Sequence, residues 1–384
     1  MKPGASLETI ADLAELMPFG TRILRHEIAP PPAKPWRRVP LIPGTEAFSN
    51  EWLPIYHGEH HAWIEHEAAC YSIRDARISG SGQIWLDDRL ITAPSVMPSY
   101  GVDALQLDQG GSERLKAEAA LPVRRIDLPC VVAAGHGVEV YGHFVMEMLL
   151  RILEARDALG HTGLRFRLLL PRQSPAWLLH ILEHSLGIGA EKIVFFDPER
   201  EQVQLRHAIV PTLMVQGGGF HPVANRLIDG FLATLDLAAE APTPPRIFAV
   251  RRRFRNDAAP YRLCLNEDRL AAIAAERHGF VPVAMESLSW PAQIAHFREA
   301  EIMLGLTGSA LHTALFARPG SRLAALGVMN FTQSDIGVLR RQYNAFLGDG
   351  VPVVGEFTID EDRFTAFLDA VCRWPGAPPL SPEV

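Results

Sequence analysis

The chain has 384 residues, of which 48% are hydrophobic and 21% are charged, the usual balance of a globular protein. One hydrophobic core rarely supports a chain of this length, so the sequence predicts two domains or more. The formal net charge of −7 argues against a nucleic-acid-binding protein that relies on an overall basic surface. A ligand that carries phosphate stays open, because it needs only a local cluster of arginines.

The four cysteines are scattered and form no CxxC pair, which disfavours zinc ribbons, redox dithiols and a disulfide framework. The first twenty residues lack the apolar core and the cleavage site of a signal peptide. No apolar run reaches the roughly 18 residues needed to span a bilayer. We therefore expect a cytoplasmic protein, with peripheral docking on a membrane face left open.

Residues 1–120 are predicted to form an extended arm and a small β-rich module. The arm contains the proline cluster IAPPPAKPWRRVPLIPG, in which proline fixes φ and removes hydrogen-bond donors. Between residues 62 and 107, short alternating stretches are interrupted by glycine and aspartate, a pattern typical of strands joined by turns.

Two α/β domains are predicted to follow, at 121–238 and 246–335, with an Ala/Pro-rich linker at 238–245 and a C-terminal segment at 336–384. In the first, the strands LPCVVAAG, RFRLLLP and KIVFFD alternate with amphipathic helices. The second begins with the strand RIFAV and continues with a helix that Asn266 can cap and Gly279 can end. This alternation is typical of doubly wound parallel sheets, so the predicted fold class is α/β, with two Rossmann-like domains across a cleft.

The sharpest local motif is GLTGSALHTALFARPG at 305–320. A buried strand is predicted to end at Gly305–Leu306, and a helix to begin among the small residues 307–310. Small side chains let a phosphate approach the unpaired N–H groups at the positive end of a helix dipole. A close contact between helix and strand would require the same small residues, so both interpretations stay open.

An arginine cluster follows the strand RIFAV and comprises Arg251, Arg252, Arg253, Arg255 and, further on, Arg262. Strands of open α/β sheets end at the ligand crevice, and arginine binds phosphate oxygens in a bidentate manner. Arg251 and Arg262 are the candidates, whereas a solvated basic loop is the preferred interpretation of the other three.

His143 and Glu147 are four residues apart, so they share one face of a predicted helix near its start. Either side chain can take a proton from an acceptor hydroxyl; a polar pair that caps the helix or bridges domains is the alternative. A zinc site of the HxxxE type has no third ligand in view. For that reason no metal is expected. The glycine spacing at 135–142 is GxGxxxxG rather than GxGxxG, and no acid ends a strand at the expected distance, so NAD is not expected either.

Taken together, these segments resemble glycosyltransferase family 61 over about residues 131–320. The shared pattern is an aromatic-His-aromatic group and a glutamate, then two arginines, an Asn-Glu helix start, a Ser-x-x-x-Gln turn and a glycine-rich loop. The matching residues are Tyr141, His143, Phe144, Glu147, Arg151, Arg251, Arg262, Asn266, Glu267, Gly279, Phe280, Glu286, Ser289 and Gln293, followed by the segments GSALH and LFARPG. Thr307 replaces the usual histidine of the loop, and Thr313 stands where asparagine is common.

The resemblance implies a GT-B architecture and an inverting, metal-independent transfer of a hexosyl or pentosyl group, as in the bacterial polysaccharide-assembly members. The donor is a nucleotide-diphosphate sugar, the acceptor is a saccharide or glycoconjugate, and no cofactor is implied. Glu147 is the expected base with His143 as its rival, and His221 and Tyr141 are expected to contact the acceptor. The residues expected to bind the donor are Arg251, Arg262, Asn266, Glu286, Gln293, Thr307, Gly308, Ser309, Ala310 and His312.

Two other functions fit the same segments. A nucleotide-sugar epimerase of the same architecture would release free sugar or nucleotide without an acceptor. A non-catalytic nucleotide-sugar-binding or scaffold protein would bind the donor without hydrolysing or transferring it. The sequence identifies neither the sugar, the acceptor nor the oligomeric state.

Overall fold

The computed structural model describes residues 8–11, 22–32, 41–49, 64, 66–80, 82–97, 112–133, 135, 137–160, 165–216, 219–237, 243–251, 262–327, 331–348, 351–352 and 355–375. The chain divides into two compact units. Unit 1 spans Met1–Ala33, Ile64–Gly217 and His221–Phe231, and unit 2 spans Lys34–Trp63, Gly218–Phe220 and Leu232–Val384. Both units combine strands with helices, which confirms the predicted α/β class. Within the described ranges, no helix is both long and apolar enough to cross a membrane.

A ten-stranded mixed sheet forms the described centre of unit 1. Its order is β1-β5-β4-β3-β10-β7-β8-β9, with β2 paired to β3 and β6 paired to β10. The strands are β1 (Thr9–Ile10), β2 (Ile23–Ala29), β3 (Ala68–Ser79), β4 (Gln83–Leu86), β5 (Arg89–Ile91), β6 (Val123–Ile126), β7 (Cys130–Val131), β8 (Arg167–Pro171), β9 (Ile193–Phe196) and β10 (Gln202–Pro211).

The long strand β10 joins two kinds of pairing in this sheet. It is antiparallel to β3 along one edge and parallel to β6 and β7 along the other. The strands β7, β8 and β9 are parallel to one another, as the alternation of strands and helices predicts. The boundary predicted near residue 120 therefore lies within a single sheet, because β10 pairs with strands from both sides of it.

Five helices belong to the described part of this region: α1 (Ser112–Ala119), α2 (Tyr141–His143), α3 (Leu149–Leu159), α4 (Ala176–Leu186) and α5 (Val223–Leu232). Between α2 and α3, Phe144–Met148 form a π-helical turn. Such turns insert an extra residue into a helix and are frequent at functional sites. Phe144, Met148, Leu149, Ile152 and Leu159 are all buried, in agreement with their predicted helical spacing.

Two charged side chains of α3 lie in the core of unit 1. Arg151 donates hydrogen bonds from Nε to the carbonyl of Pro211 at 3.1 Å and from Nη1 to that of Ala133 at 3.4 Å. Glu154 is fully buried, and its Oε1 accepts a hydrogen bond from Thr212 Oγ1 at 2.7 Å. Burial raises the pKa of Glu154 well above its ordinary value, against the lowering effects of Thr212 and Arg151. These contacts fix α3, and the π turn before it, at the ends of β7 and β10.

Unit 2 contains a five-stranded parallel sheet of order β15-β13-β16-β17-β18. Its strands are β13 (Arg246–Val250), β15 (Val281–Ala284), β16 (Ile302–Leu306), β17 (Arg322–Leu326) and β18 (Tyr343–Leu347). The chain starts at β13, moves outward to β15 and then returns to the other side, so the strand order reverses between β13 and β16. This is the doubly wound arrangement that the sequence predicts.

The remaining short strands are β11 (Val215–Gln216), β12 (Gly219–Phe220), β14 (Arg262–Cys264) and β19 (Gly355–Phe357), of which β14 and β19 pair in parallel. The helices of unit 2 are α6 (Glu267–His278), α7 (Trp290–Glu299), α8 (Phe331–Arg340) and α9 (Glu361–Arg373), with 3₁₀ helices at Glu46–Phe48, Met285–Ser287 and Ser309–Phe316. The helix α8 runs across the boundary predicted at residue 335, and β18 adds a strand beyond it. The domain limits drawn from the sequence stay a prediction.

Helix α6 ends at the residue that the sequence predicts, but its first turn lacks the predicted cap. Gly279 ends it with a φ of +68°, a left-handed conformation that glycine adopts without strain. Asn266 stands at the cap position, but its side chain makes no capping hydrogen bond to the helix. Its Nδ2 donates to the carbonyl of Ile359 at 2.8 Å, and its Oδ1 accepts from the N–H of Ile359 at 3.1 Å. The predicted capping role of Asn266 is therefore wrong, because the side chain holds the segment that leads into α9.

We predict that Glu154→Gln makes the stability of the protein less dependent on pH. A carboxyl whose pKa is raised by folding contributes stability that is fully present below its ordinary pKa of 4.5 and is lost as the pH rises through the raised value. Glutamine still accepts a hydrogen bond from Thr212 but carries no charge. In thermal unfolding followed by circular dichroism, the variant should have a higher Tm than the wild type at pH 8 and a similar Tm near pH 5.

The matched control is Thr212→Val, which removes the hydrogen-bond donor and keeps the buried carboxyl. It should lower the Tm throughout this pH range, because a buried acceptor then loses its partner. A Tm of Glu154→Gln below that of the wild type at pH 8 would contradict the prediction.

Candidate functional site

A cavity of about 580 Å³ lies in unit 1 at the carboxyl ends of β7 and β8. Its wall includes Ala133 beyond β7, Ser174 beyond β8, and both His143 and Glu147 from the helical stretch that follows β7. The volume lies within the range of small-molecule sites, which combine apolar walls with a few placed polar groups. The two residues that the sequence singles out for proton transfer thus face one ligand-sized space.

His143 and Glu147 form a hydrogen-bonded pair. The distance between His143 Nδ1 and Glu147 Oε1 is 2.7 Å, and the two side chains are 35% and 16% exposed. The hydrogen bond to Glu147 raises the pKa of His143, against the lowering effect of burial. A carboxylate that accepts a hydrogen bond from Nδ1–H holds the imidazole in one tautomer and makes Nε2 the basic nitrogen.

Gly137 lies against the ring of His143 and was not singled out from the sequence for this contact. Its φ is +81°, and a β-carbon at this position would lie 2.6 Å from Cδ2 and 3.1 Å from Nε2 of His143. Glycine is therefore required by both the backbone conformation and the close approach of the loop. The glycine-rich stretch at 135–142 is the only feature of the sequence that indicates this close contact.

Of the two residues predicted to contact an acceptor, Tyr141 is half-buried and His221 is buried. Tyr141 is half-buried, and its ring meets that of Trp177 edge to face, with centroids 5.9 Å apart. His221 is 2% exposed; its Nε2 lies 3.0 Å from the carbonyl of Pro30, and its Nδ1 accepts from the N–H of Val223 at 3.3 Å. Burial lowers the pKa of His221. Both ring nitrogens of His221 therefore bond within unit 1, and its contact with an acceptor stays a prediction.

In unit 2, predicted donor-binding residues meet where the strand order reverses. Arg251 directly follows β13, while Thr307 and Gly308 directly follow β16. A β-carbon on Gly308 would lie 3.4 Å from Arg251 Nη1, so the guanidinium lies next to the Gly308 backbone. In doubly wound sheets, the ligand crevice opens at the carboxyl ends of the strands where the order reverses.

A buried glutamate and a second arginine complete this cluster. The backbone N–H of Arg251 donates to both carboxylate oxygens of Glu267, at 3.1 and 3.0 Å, and Glu267 is 7% exposed. Arg262 opens β14, and burial together with the positive charge of Arg251 lowers its pKa. Two arginines close enough to repel each other are stabilised by an anion placed between them. Arg252, Arg253 and Arg255 lie outside the described residues.

The segment that follows β16 differs from the prediction in its type of helix. Ser309–Phe316 is a 3₁₀ helix rather than an α-helix, with Ser309, Ala310 and His312 partly exposed on its first turns. Thr307 is buried, and its N–H and hydroxyl both donate to the carbonyl of Leu326, at 2.9 and 3.3 Å. The case for a phosphate at this position therefore depends more on the arginines than on a helix dipole.

The other residues predicted to bind the donor lie further along the chain. Glu286 is exposed in the 3₁₀ turn after β15, the strand next to β13. Gln293 is half-buried on α7, and its amide donates to the carbonyl of Leu288 at 3.2 Å. Asn266, as described above, is engaged with Ile359. The described contacts thus give Gln293 and Asn266 structural partners within unit 2.

Comparison with known proteins identifies one family. The sequence model of the family described as Glycosyltransferase 61 matches residues 141–324, just under half of the chain. The matched range contains every residue predicted from the sequence to react or to bind a substrate, from Tyr141 in unit 1 to His312 in unit 2, and it excludes Gly137. The match supports membership of glycosyltransferase family 61 and, with it, glycosyltransferase activity. No curated protein matches the chain.

We predict that Glu147→Gln lowers the pKa of His143. Glutamine retains a hydrogen-bonding side chain but removes the negative charge that stabilises the imidazolium. A histidine Cε1–H NMR titration measures the pKa, with His143→Gln identifying the resonance. The control is Glu139→Gln, which should lower the pKa of His143 less. Glu139 also raises this pKa, but its effect is the smallest of those that act on His143. A pKa of His143 that is unchanged in Glu147→Gln would show that the pair does not interact in solution.

Proposed function

We propose that this chain is an inverting glycosyltransferase that moves a sugar from a nucleotide-diphosphate donor to a hydroxyl of a saccharide or glycoconjugate acceptor. The family match supports the transferase activity. The observation that carries the mechanism is the hydrogen-bonded His143–Glu147 pair in the wall of a ligand-sized cavity. We further propose that units 1 and 2 are the acceptor and donor halves of a GT-B enzyme that acts in polysaccharide assembly.

The proposed reaction is a single displacement. The acceptor oxygen forms a bond to the anomeric carbon of the donor sugar while the bond from that carbon to the diphosphate oxygen breaks. The hydroxyl proton goes to a base on the enzyme, and the electron pair of the broken bond leaves with the diphosphate. Such a step requires one positioned base and positive charge around the leaving group.

We assign the base to His143 and a positioning role to Glu147. With Nδ1 bonded to Glu147, the imidazole takes the acceptor proton at Nε2, and the carboxylate stabilises the imidazolium that results. The hydrogen bond to Glu147 raises the pKa of His143, which makes the imidazole a stronger base. This assignment reverses the preference drawn from the sequence, in which Glu147 was the base and His143 its rival.

We assign the leaving diphosphate to Arg251 and Arg262. Guanidinium groups bind phosphate oxygens in a bidentate manner, and their fixed charge serves where other enzymes use a divalent cation. Glu267 holds the Arg251 backbone, which supports a preorganised site at the reversal of strand order. The transfer that we propose therefore proceeds without a metal. None of the contacts among the described residues favours an epimerase or a non-catalytic protein over this assignment.

If His143 is the base, His143→Ala should lower kcat by about 10²–10⁴-fold, the usual contribution of positioned proton transfer. Glu147→Gln should cost less, and it should move the acidic limb of the pH–rate profile to lower pH, because the histidine loses the charge that raises its pKa. The assay is release of nucleoside diphosphate from a panel of UDP- and GDP-sugars with mixed oligosaccharide acceptors. Glu139→Gln, which changes another glutamate of the same cavity, is the control and should retain wild-type kcat.

The opposite order of effects would assign the base to Glu147. Turnover near the wild-type level in both His143→Ala and Glu147→Gln would exclude the pair from the chemistry altogether.

Arg262→Ala and Arg251→Ala should each weaken binding of UDP or GDP by about 1–3 kcal/mol, the scale of a lost hydrogen bond to a charged group. Isothermal titration calorimetry in buffer containing EDTA measures this directly. Arg269→Ala is the matched control, because Arg269 lies exposed on α6 and pairs with Glu361 at 3.1 Å. Equal affinity in all three variants would remove the arginines from the donor site. Binding that EDTA abolishes and manganese restores would contradict the metal-independent mechanism.

A further inference from the structure

We propose that the cavity of unit 1 contains a second polar subsite, formed by Gln83, Arg114 and Glu118, that binds a second sugar ring of the acceptor. This inference rests on the proposed function for the identity of its ligand. It makes the acceptor at least a disaccharide, with one ring at His143 and the next ring at Glu118.

The three residues share one cavity with the proposed base. Gln83 is the first residue of β4, Arg114 and Glu118 lie on α1, and all three belong to the wall that also contains His143 and Glu147. Arg114 Nε lies 3.7 Å from Glu118 Oε1. The cavity thus has polar groups on a wall that neither the match to the family nor the proposed proton transfer involves.

Helix α1 is fixed to the sheet, so the subsite is preformed. Leu115 is fully buried on α1 and packs in one cluster with Trp85 of β4 and Leu90 of β5. At the end of the helix, the amide of Gln202 on β10 donates to the carbonyls of Ala119 and Leu121, both at 2.9 Å. A binding group held in this way loses little conformational freedom when a ligand arrives.

Two oxygen atoms of the subsite converge on Gly80, in the turn between β3 and β4. A β-carbon on Gly80 would lie 2.3 Å from Gln83 Oε1 and 2.7 Å from Glu118 Oε2. The φ of Gly80 is +49°, so glycine suits the backbone as well as the space. The turn therefore leaves room for the amide of Gln83 and the carboxylate of Glu118 side by side.

The partial burial of the Glu118 carboxyl is energetically unfavourable in the ligand-free protein. Burial raises the pKa of its carboxyl, against the lowering effects of Arg114 and Ser79. Its Oε2 is shielded from solvent and has no hydrogen-bond partner among the described residues. A shielded oxygen without a donor is unfavourable. The ligand hydroxyl is expected to meet the part of the Glu118 side chain that stays 20% exposed, beside Arg114.

The chemistry of the wall matches a sugar ring. Hydroxyl groups donate to the oxygens of Glu118 and Gln83, and they accept from the guanidinium of Arg114. The apolar part of the wall, formed by Ile84, Ile91, Val96 and Met97, offers surface for the C–H faces of the rings. A cavity of about 580 Å³ lies in the range that holds drug-sized ligands, which leaves room for more than the reacting ring.

The test compares monosaccharides with matched disaccharides as probes of the full-length protein. The pairs are glucose and cellobiose, galactose and lactose, N-acetylglucosamine and chitobiose, and xylose and xylobiose, with affinities from NMR titration. We expect at least one disaccharide to bind about tenfold more tightly than its monosaccharide, the effect of one hydrogen bond to a charged group. Glu118→Met should abolish this preference and leave the affinity for the monosaccharide unchanged.

The control variant is Glu113→Gln, which changes an exposed glutamate on the same helix that pairs with Lys116, and it should retain the preference. Thermal unfolding separates recognition from a structural role. Because Glu118→Met and Glu118→Gln remove a partly buried carboxyl with an unpartnered oxygen, their Tm should equal or exceed that of the wild type. A fall in Tm in both variants would assign Glu118 to the stability of the fold and overturn the proposal.

Two further results would also overturn it: no disaccharide preferred over its monosaccharide, or a preference that survives in Glu118→Met. Donor turnover is measured separately, as release of nucleoside diphosphate from UDP- and GDP-sugars with and without the mixed oligosaccharide acceptors. A preference that depends on Glu118 in a protein without donor turnover would retain the subsite and contradict the proposed function. Donor turnover without the preference would retain the function and contradict the subsite alone.

Discussion

A 2.7 Å hydrogen bond joins His143 Nδ1 to Glu147 Oε1, and three neighbouring features of unit 1 fix the positions of these two side chains. Gly137 positions the loop against the imidazole ring, and the π turn at Phe144–Met148 presents the glutamate. Behind that turn, Arg151 connects the helix to the ends of two strands through backbone carbonyls. The proton transfer that we propose for this pair would need such support, because the geometry must persist while the charge on the imidazole changes.

A glutamate has a comparable part in each unit. In unit 1, the carboxylate of Glu147 accepts a hydrogen bond from a ring nitrogen of His143. In unit 2, the carboxylate of Glu267 accepts a hydrogen bond from the backbone N–H of Arg251. The first arrangement adjusts the basicity of a histidine. The second fixes the point at which an arginine leaves its strand, so that the guanidinium lies beside Gly308. In both, a buried or half-buried carboxylate determines the position of a cationic or basic group that a ligand would meet.

The sequence predicts those parts of the structure that depend on local pattern. The alternation of strands and helices, the end of α6 at Gly279 and the proximity of His143 to Glu147 all follow from spacing within a few residues. The features that it misses depend on distant partners: His221 bonds to Pro30, Asn266 bonds to Ile359, and β10 pairs with strands from both sides of a predicted boundary. The π turn and the 3₁₀ helix at Ser309 are missed for another reason, since apolar spacing of three to five residues does not distinguish these helices from an α-helix.

The π turn also determines which changes of chain length this region tolerates. Each residue of an α-helix advances the chain by about 100° around the axis, so a π turn is the product of one additional residue accommodated within the helix. Loss of Val145 or Met146 would restore regular α-helix at little cost to hydrogen bonding, and it would rotate everything before it relative to α3. His143 would then leave the cavity, although every side chain of the pair was still present. The number of residues in this turn is therefore a constraint on the pair in addition to the identity of Glu147.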